Sequence, residues 1–313
     1  MTENLRITAE CVLPVVLLIA LGMLIRRVKW LDQKGIDQID KISFNLLIPL
    51  TMFKNVYNSD FRAAFDGRLI TIAVAVTLLS FGVALLLACL KEKEGARRGS
   101  LAQSIFRNNC LVLGLPILTA MYGEGELTRY ALILAFVIPI NNILAVVMLS
   151  VFTSRDISIG KLLKRLVTNP YILFIGAGLL INLTGIRLPQ AVAKCVSDLS
   201  AAASPMALIS LGAVLRLGAV KSDMKTVVYG TISRLLILPL IFVPLMIALG
   251  VRGAPLVALY FVVGTPCSVT SYVMAKKMGA DGELAAHLVV FQTVFSVLSV
   301  FAVLLILGTL GYT

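Results

Sequence analysis

Two segments of this 313-residue chain place polar side chains, glycine and proline inside otherwise apolar sequence. The residues concerned are Arg107, Asn108, Asn109 and Cys110 in the first segment, and Thr265, Pro266, Cys267 and Ser268 in the second. Proline removes a backbone donor and clashes with the preceding helical turn, so both segments predict helices that break. Freed backbone amides, asparagine side chains and hydroxyls can donate to a carboxylate. These residues are the candidate substrate-binding residues, although proline and glycine are also common in intact membrane helices.

Arg107 and Arg234 fall well inside apolar stretches. An arginine there is costly unless it faces a cavity or a partner. Either residue could attract an anion, and Arg107 is favoured because it adjoins the first break. The alternative is that each side chain extends to the membrane interface.

Three other ionisable residues lie in or near apolar stretches. Asp198 and Lys41 could pair across a helix bundle, take part in proton coupling, or lie near the lipid headgroups. His287, the single histidine, is expected at the interface and not in a proton relay.

The composition is that of an all-α integral membrane protein. Hydrophobic residues make up 59% of the chain and charged residues 14%, and the mean hydropathy is +0.96. A membrane-spanning helix needs about 20 mainly apolar residues. The sequence offers ten such stretches, at residues 7–26, 38–56, 68–90, 99–122, 127–152, 170–186, 190–216, 226–249, 254–277 and 283–308.

The net charge of +12 would suggest nucleic-acid binding in a soluble protein, but here lysine and arginine cluster in the loops between spans. The loops after the odd-numbered spans carry about twice as many of them as the opposite loops. This predicts a multi-pass protein of the cell membrane with both termini on the non-cytoplasmic side. The expected macromolecular surroundings are the lipid bilayer, with no nucleic-acid partner.

The sequence does not favour an enzyme. It has one histidine, no H-E-x-x-H string and no paired aspartates within the spans, so neither a metal site nor catalytic residues are predicted. The five cysteines lie in apolar segments and do not indicate a disulfide framework. No phosphate-binding G-x-x-x-x-G-K-[ST] string occurs, so no cofactor is expected and Na⁺ or H⁺ remain candidate coupling ions.

The ten predicted spans divide into two halves, residues 1–156 and 157–313. An odd number of helices in each half means that the second half enters the membrane inverted. Spans two and seven each carry a proline in mid-span, Pro49 and Pro205, and the two predicted breaks fall in spans four and nine. Paired broken helices in inverted halves are typical of a substrate site.

At these segments the chain resembles the auxin efflux carrier family, which includes the plant PIN-FORMED exporters. The matching residues are Asn108 to Pro116 with Ala120 to Gly123, Ser204 to Leu208 with Leu211 and Gly212, and Pro266 with Tyr272 to Lys276. The resemblance implies a bile acid/auxin transporter-like fold of two inverted five-helix repeats, with spans four and nine crossing at the substrate site. Asn109 matches the family's asparagine beside the crossing, and Pro266 matches its proline.

The chain departs from the plant members at three of these positions. Asn108 stands where they carry proline, and Cys267 and Ser268 stand where they carry glutamine and glycine. A bacterial-type member is therefore the closer picture. The resemblance also implies a homodimer.

The sequence thus predicts a secondary or facilitative carrier of small organic anions that works by alternating access. The anions considered are carboxylates, either auxin-like compounds or dicarboxylates. A membrane receptor or a channel on the same fold is the alternative, since sequence separates these classes poorly.

Overall fold

A computed structural model describes residues 2–58, 66–122, 127–153, 168–214 and 220–313. Within these ranges all regular elements are helices. The predicted boundary between the two halves, at residues 156 and 157, lies outside the described residues. So do several of the basic loop residues used to predict orientation, among them Arg155, Lys161 and Arg216.

Fourteen α-helices can be numbered along the described parts of the chain. They are α1 (Thr2–Arg27), α2 (Gln33–Ile42), α3 (Ile48–Tyr57), α4 (Gly67–Lys91), α5 (Gly95–Phe106), α6 (Leu115–Tyr122), α7 (Leu127–Thr153), α8 (Pro170–Thr184), α9 (Gln190–Val214), α10 (Val220–Ile232), α11 (Leu238–Ala248), α12 (Gly253–Gly264), α13 (Thr270–Lys277) and α14 (Gly282–Thr309).

Three π-helical turns join successive helices in the described chain. They are Ser43–Leu47 before α3, Cys110–Gly114 before α6 and Ser233–Ile237 before α11. Each following helix has proline as its second residue, namely Pro49, Pro116 and Pro239. Proline cannot donate to the preceding turn and its ring needs space there, so a wider turn at this position avoids the clash.

Five described helical stretches are long and apolar enough to cross a membrane: Gly67–Lys91, Phe136–Thr153, Gln190–Ala213, Asp223–Ala248 and Gly282–Thr309. Two shorter apolar helices are Pro170–Thr184 and Gly253–Gly264. The sequence predicts ten spans, but the fourth and ninth of these are each divided into two helices. The 12 residues of α5 reach only about 18 Å, so a half-helix of this kind is too short to span alone.

The helices pack as two groups. The scaffold group consists of α1, α2, α3, α8 and α9, and the core group consists of α4 to α7 with α10 to α14. Within the scaffold group, α1 packs along α9 and α3 packs along α8. Within the core group, α4, α5 and α7 contact one another, and α14 contacts α5, α10 and α13.

Glycines bring the scaffold helices into backbone contact. A Cβ atom on Gly22 of α1 would collide with the carbonyl oxygen of Ile209, and one on Gly212 of α9 would collide with that of Ile19. A Cβ on Gly178 of α8 would meet the carbonyl oxygen of Phe53 in α3. Small residues allow this close approach, which is how membrane helices gain packing energy without a hydrophobic driving force.

The structure shows the partners of two ionisable residues noted in the sequence. Asp198 pairs with Lys194 of its own helix at 2.8 Å, on an exposed surface, and not with Lys41. His287 is fully buried inside the protein, with Nδ1 3.3 Å from the Asp223 carboxylate. The helical repeat decides the first pairing, since residues four apart are neighbours on a helix.

Asp223 belongs to a charged cluster centred on Arg97, which lies 2.9 Å from Asp223, 3.1 Å from Asp281 and 3.2 Å from Glu92. Burial disfavours the charge on Arg97, but hydrogen bonds to Glu92 and Asp223 outweigh this and raise its pKa. The cluster ties together α4, α5, α10 and α14 at one end of the core group.

Candidate functional site

Two breaks in the helices meet inside the core group. The first break is residues 107–109, between α5 and the π-helical turn before α6, and the second break is residues 265–269, between α12 and α13. The backbone amide of Asn109 donates to Thr265 Oγ1 at 3.2 Å. Asn108 Nδ2 donates to the Val262 carbonyl at 3.1 Å. Each break therefore supplies partners for the other.

Arg234 binds the carbonyl ends of both half-helices. Its Nε donates to the Thr265 carbonyl at 2.7 Å, and Nη2 donates to that of Val262 at 2.9 Å. Its Nη1 donates to the carbonyls of Ile105 at 2.9 Å and Phe106 at 3.2 Å. The last carbonyls of a helix lack intrahelical partners and form the negative end of its dipole, so a cation satisfies them. Because Arg234 is fully buried, it does not extend to the interface.

Other side chains satisfy further backbone groups at the breaks. Gln292 Oε1 accepts from the Cys267 amide at 2.9 Å, and its Nε2 donates to the Gly230 carbonyl at 3.3 Å. Tyr130 Oη donates to the Cys110 carbonyl at 2.8 Å. In an apolar environment each unpaired backbone group would cost several kcal/mol. These side chains therefore stabilise the irregular backbone at the breaks.

A cavity of about 280 Å³ lies between the scaffold and core groups, beside both breaks. Its core-group lining is Arg107, Asn108, Asn109, Cys110, Ile138, Asn141, Asn142, Ser268, Val269 and Thr270, and its scaffold lining is Ile48, Thr51, Met52, Asn55, Ser200, Ala201, Ala203 and Ser204. The volume is near the lower end of the range for small-ligand sites, about 300–1,000 Å³. The lining joins amides and hydroxyls with an apolar wall.

Arg107 is the one charged side chain among the residues that line this cavity. Its Nη2 donates at 2.8 Å both to Asn142 Oδ1 and to Thr270 Oγ1, and its Nη1 lies 2.7 Å from Met274 Sδ. All three partners are uncharged. The guanidinium is buried, with 4% of the residue exposed, so its positive charge acts on the cavity with little screening. Burial here also excludes extension to an interface.

The structure brings five of the eight predicted site residues to the cavity wall, namely Arg107, Asn108, Asn109, Cys110 and Ser268. The other three, Thr265, Pro266 and Cys267, are buried behind that wall. Thr265 accepts from Asn109, and the Cys267 amide is held by Gln292. In this geometry these residues position the breaks and have no face on the cavity.

Comparison with known proteins identifies the family. A family model described as membrane transport protein matches residues 7–159 and 153–304. The chain belongs to the membrane transport protein family. The auxin efflux carriers are members, so the resemblance noted in the sequence is confirmed. An uncharacterized transporter of Methanothermobacter thermautotrophicus is 26% identical over 297 residues, covering 93% of this chain and 96% of that protein.

Membership of the membrane transport protein family indicates a multi-pass membrane transporter. Within the described ranges, no group of three or more histidine, cysteine, aspartate or glutamate side chains is arranged to hold a metal ion. The cavity offers neutral donors, neutral acceptors and one guanidinium, which suit reversible binding.

The cavity includes residues that the sequence reasoning did not single out. Thr51 and Asn55 come from α3, and Ser200 and Ser204 come from α9. The signal for them was Pro49 and Pro205, which mark the same two helices. Asn141 also lines the cavity, and its buried Oδ1 has no hydrogen-bond partner among the described residues.

Proposed function

We propose that this protein is a secondary carrier that moves small organic anions across the membrane by alternating access, with the anion bound in the cavity beside the two breaks. The observation that supports this most directly is the pairing of Arg107. It is a buried cation whose hydrogen-bond partners are all neutral, and it faces a cavity lined with amides and hydroxyls. An anion in the cavity would supply the missing negative charge.

The start of α13 strengthens the case. Val269 and Thr270 line the cavity where α13 begins, so the positive end of the helix dipole lies at the binding wall. The amide groups of Asn109 and Asn141 lie nearby and would donate to a carboxylate, which must be compensated for its lost hydration.

The mixed lining of the cavity suits an organic anion better than an inorganic one. Besides Arg107 and several amides and hydroxyls, it includes the apolar side chains of Ile48, Met52, Ile138 and Val269. A carboxylate would contact the guanidinium and its carbon skeleton would contact these apolar side chains. One arginine balances one negative charge, which favours a single carboxylate in direct contact.

The packing of the helices supports the proposed inverted repeats. If the chain has ten spans, α1 and α9 belong to spans one and seven, and α8 and α3 belong to spans six and two. When the two halves of the chain are exchanged, spans one and seven take the places of spans six and two, so the α1–α9 pair corresponds to the α8–α3 pair. The same exchange places the first break on the second. In the proposed mechanism the core group moves against the scaffold group and exposes the cavity to each side in turn. The resemblance to bacterial-type members favours a bacterial cell membrane, and the basic loops favour both termini on its non-cytoplasmic side.

Uptake into proteoliposomes tests the proposal. Labelled malate, malonate and indole-acetate would be offered to the wild type and to Asn109→Ala, which removes an amide at the cavity without changing charge. Asn45→Ala is the matched control, because Asn45 is exposed and bonds to the Lys41 carbonyl of its own helix. We expect saturable uptake of at least one acid, reduced about tenfold or more by Asn109→Ala and unchanged by Asn45→Ala. Absence of uptake for every small anion, or equal uptake by Asn109→Ala, would overturn the proposal.

A further inference from the structure

A second buried polar cluster lies away from the cavity, around Asp40 at the end of α2. The Asp40 side chain is fully buried. Its Oδ2 accepts from Lys276 Nζ at 2.6 Å and from Tyr272 Oη at 3.3 Å, and its Oδ1 accepts from the Ser210 hydroxyl. A buried carboxylate needs such pairing, because an unpaired charge in the interior is strongly destabilising.

The cluster joins the two helix groups. Asp40 and Ser210 belong to the scaffold group, in α2 and α9, whereas Tyr272 and Lys276 belong to α13 of the core group. Lys276 Nζ also lies 3.0 Å from the carboxylate of Asp37. The hydrogen bond from Lys276 lowers the pKa of the Asp37 carboxyl below its usual value.

The cluster and the cavity lie at opposite ends of the same three helical segments, namely α2 with α3, α9 and α13. Cavity-lining residues on α3 run from Ile48 to Asn55, away from Asp40, and those on α9 run from Ser204 back to Ser200, away from Ser210. On α13 the cavity ends at Thr270, six residues before Lys276. At about 1.5 Å per residue, Lys276 lies roughly 9 Å further along the helix.

We propose that Asp40, Lys276, Ser210 and Tyr272 form a latch that closes the cavity at the end of α13. While the latch holds, α13 is fixed to the scaffold and the cavity is closed on that side. When it opens, α13 separates from α2 and α9 and the cavity becomes accessible from that side. The basic loops assign this side to the cytoplasm. The function of the latch rests on the proposed carrier mechanism, but its effect on access can be measured without a substrate.

A latch must be strong enough to hold and weak enough to release. Desolvation cancels much of the attraction within a buried ion pair, so the net stabilisation of the closed state is modest. Removing one partner is different, because it leaves the other charge buried without compensation. Loss of Lys276 should therefore favour the arrangement in which Asp40 is exposed to water.

Thiol labelling at the cavity wall tests the latch. A reporter, Ser268→Cys, would be placed in a chain whose five native cysteines are replaced, and a membrane-impermeant maleimide would be added to either side of oriented vesicles. We expect labelling mainly from the side opposite the latch. Lys276→Gln and Asp40→Asn should each raise labelling from the latch side about tenfold or more.

Lys277→Gln is the matched control. Lys277 is the adjacent residue and loses the same charge, but it bonds only to the backbone carbonyl of Asp37 on an exposed surface, so its labelling should equal that of the parent. Ser210→Ala keeps both charges and should raise labelling from the latch side less, about threefold. This variant still tests the latch if the charge variants fold poorly. Exchanging the two charges, Asp40→Lys with Lys276→Asp, should restore closure.

Equal latch-side labelling of the parent, Ser210→Ala and every folded charge variant would overturn the latch. That result would leave the carrier proposal standing, because anion uptake is measured separately. Conversely, absence of anion uptake by the wild type would overturn the carrier while a tenfold rise in labelling still supported the latch.

Discussion

Arg107 and Arg234 are both buried beside the breaks, but the groups they bind differ in kind. Arg234 donates to four backbone carbonyls at the ends of α5 and α12. Arg107 binds an amide oxygen, a hydroxyl and a thioether, all on side chains. Moreover, Arg107 lines the cavity and Arg234 does not.

The same buried positive charge therefore serves two different purposes in this protein. The charge of Arg234 is compensated by the negative ends of two helix dipoles, so it stabilises the breaks and leaves little attraction for a solute. Among the described residues Arg107 has only neutral partners, so part of its desolvation cost is not recovered in the empty protein. An anion bound in the cavity would recover this part of the desolvation cost of Arg107.

The largest effect is expected from Arg234→Gln. Glutamine cannot replace the donors to four carbonyls, and losing charge-assisted hydrogen bonds in the interior costs about 3–5 kcal/mol. Because whole proteins are stable by only about 5–15 kcal/mol, the variant should lose most of its folded yield. The measurement is the monodisperse fraction and melting temperature in detergent.

Arg252→Gln is the control for this prediction. Arg252 also donates to backbone carbonyls at a helix end, those of Ile247 and Val251, but it is exposed. Its loss should change stability by less than about 1 kcal/mol. A melting temperature for Arg234→Gln equal to that of Arg252→Gln would contradict a structural role for Arg234.

The second effect concerns transport and not stability. Arg107→Met removes a buried charge that has no charged partner in the part of the chain that the structure describes, so the melting temperature should stay the same or rise. Uptake of the accepted anion should fall about 30-fold or more, because a charge-assisted contact of about 2 kcal/mol is lost. Uptake close to that of the wild type would show that Arg107 is not the anion's counter-charge.

The sequence was informative about the breaks because proline and polar residues lie at or near each of them. Interruptions were predicted in two spans and occur at residues 107–109 and 265–269. Pro266 lies within the second break, whereas Pro116 follows the π-helical turn that comes after the first. The asparagines and Arg107 line the cavity because they adjoin the first break, and their role in binding a substrate stays a prediction.

The sequence could not distinguish the roles of residues whose hydrogen-bond partners lie far away in the chain. Arg107 and Arg234 have the same charge and the same apolar surroundings in the sequence. Their roles differ because Arg234 meets Val262 and Thr265 across the fold, whereas Arg107 meets Asn142 and Thr270. The Asp40 to Lys276 pair was missed for the same reason, as 236 residues separate them.

The smallest effects should come from two threonines, one beside each arginine. Thr265 accepts the Asn109 amide behind the cavity wall, and Thr270 accepts from Arg107 at the wall itself. Thr265→Val leaves a buried backbone donor unpaired, so it should lower stability by about 1–3 kcal/mol with the affinity for the anion nearly unchanged. Thr270→Val removes one of the acceptors that orient the guanidinium, so it should raise KM about threefold and leave the melting temperature within a degree or two. The two substitutions are chemically identical, so each is the control for the other. If both lowered stability equally, or both raised KM equally, the threonines beside the two arginines would not differ in role.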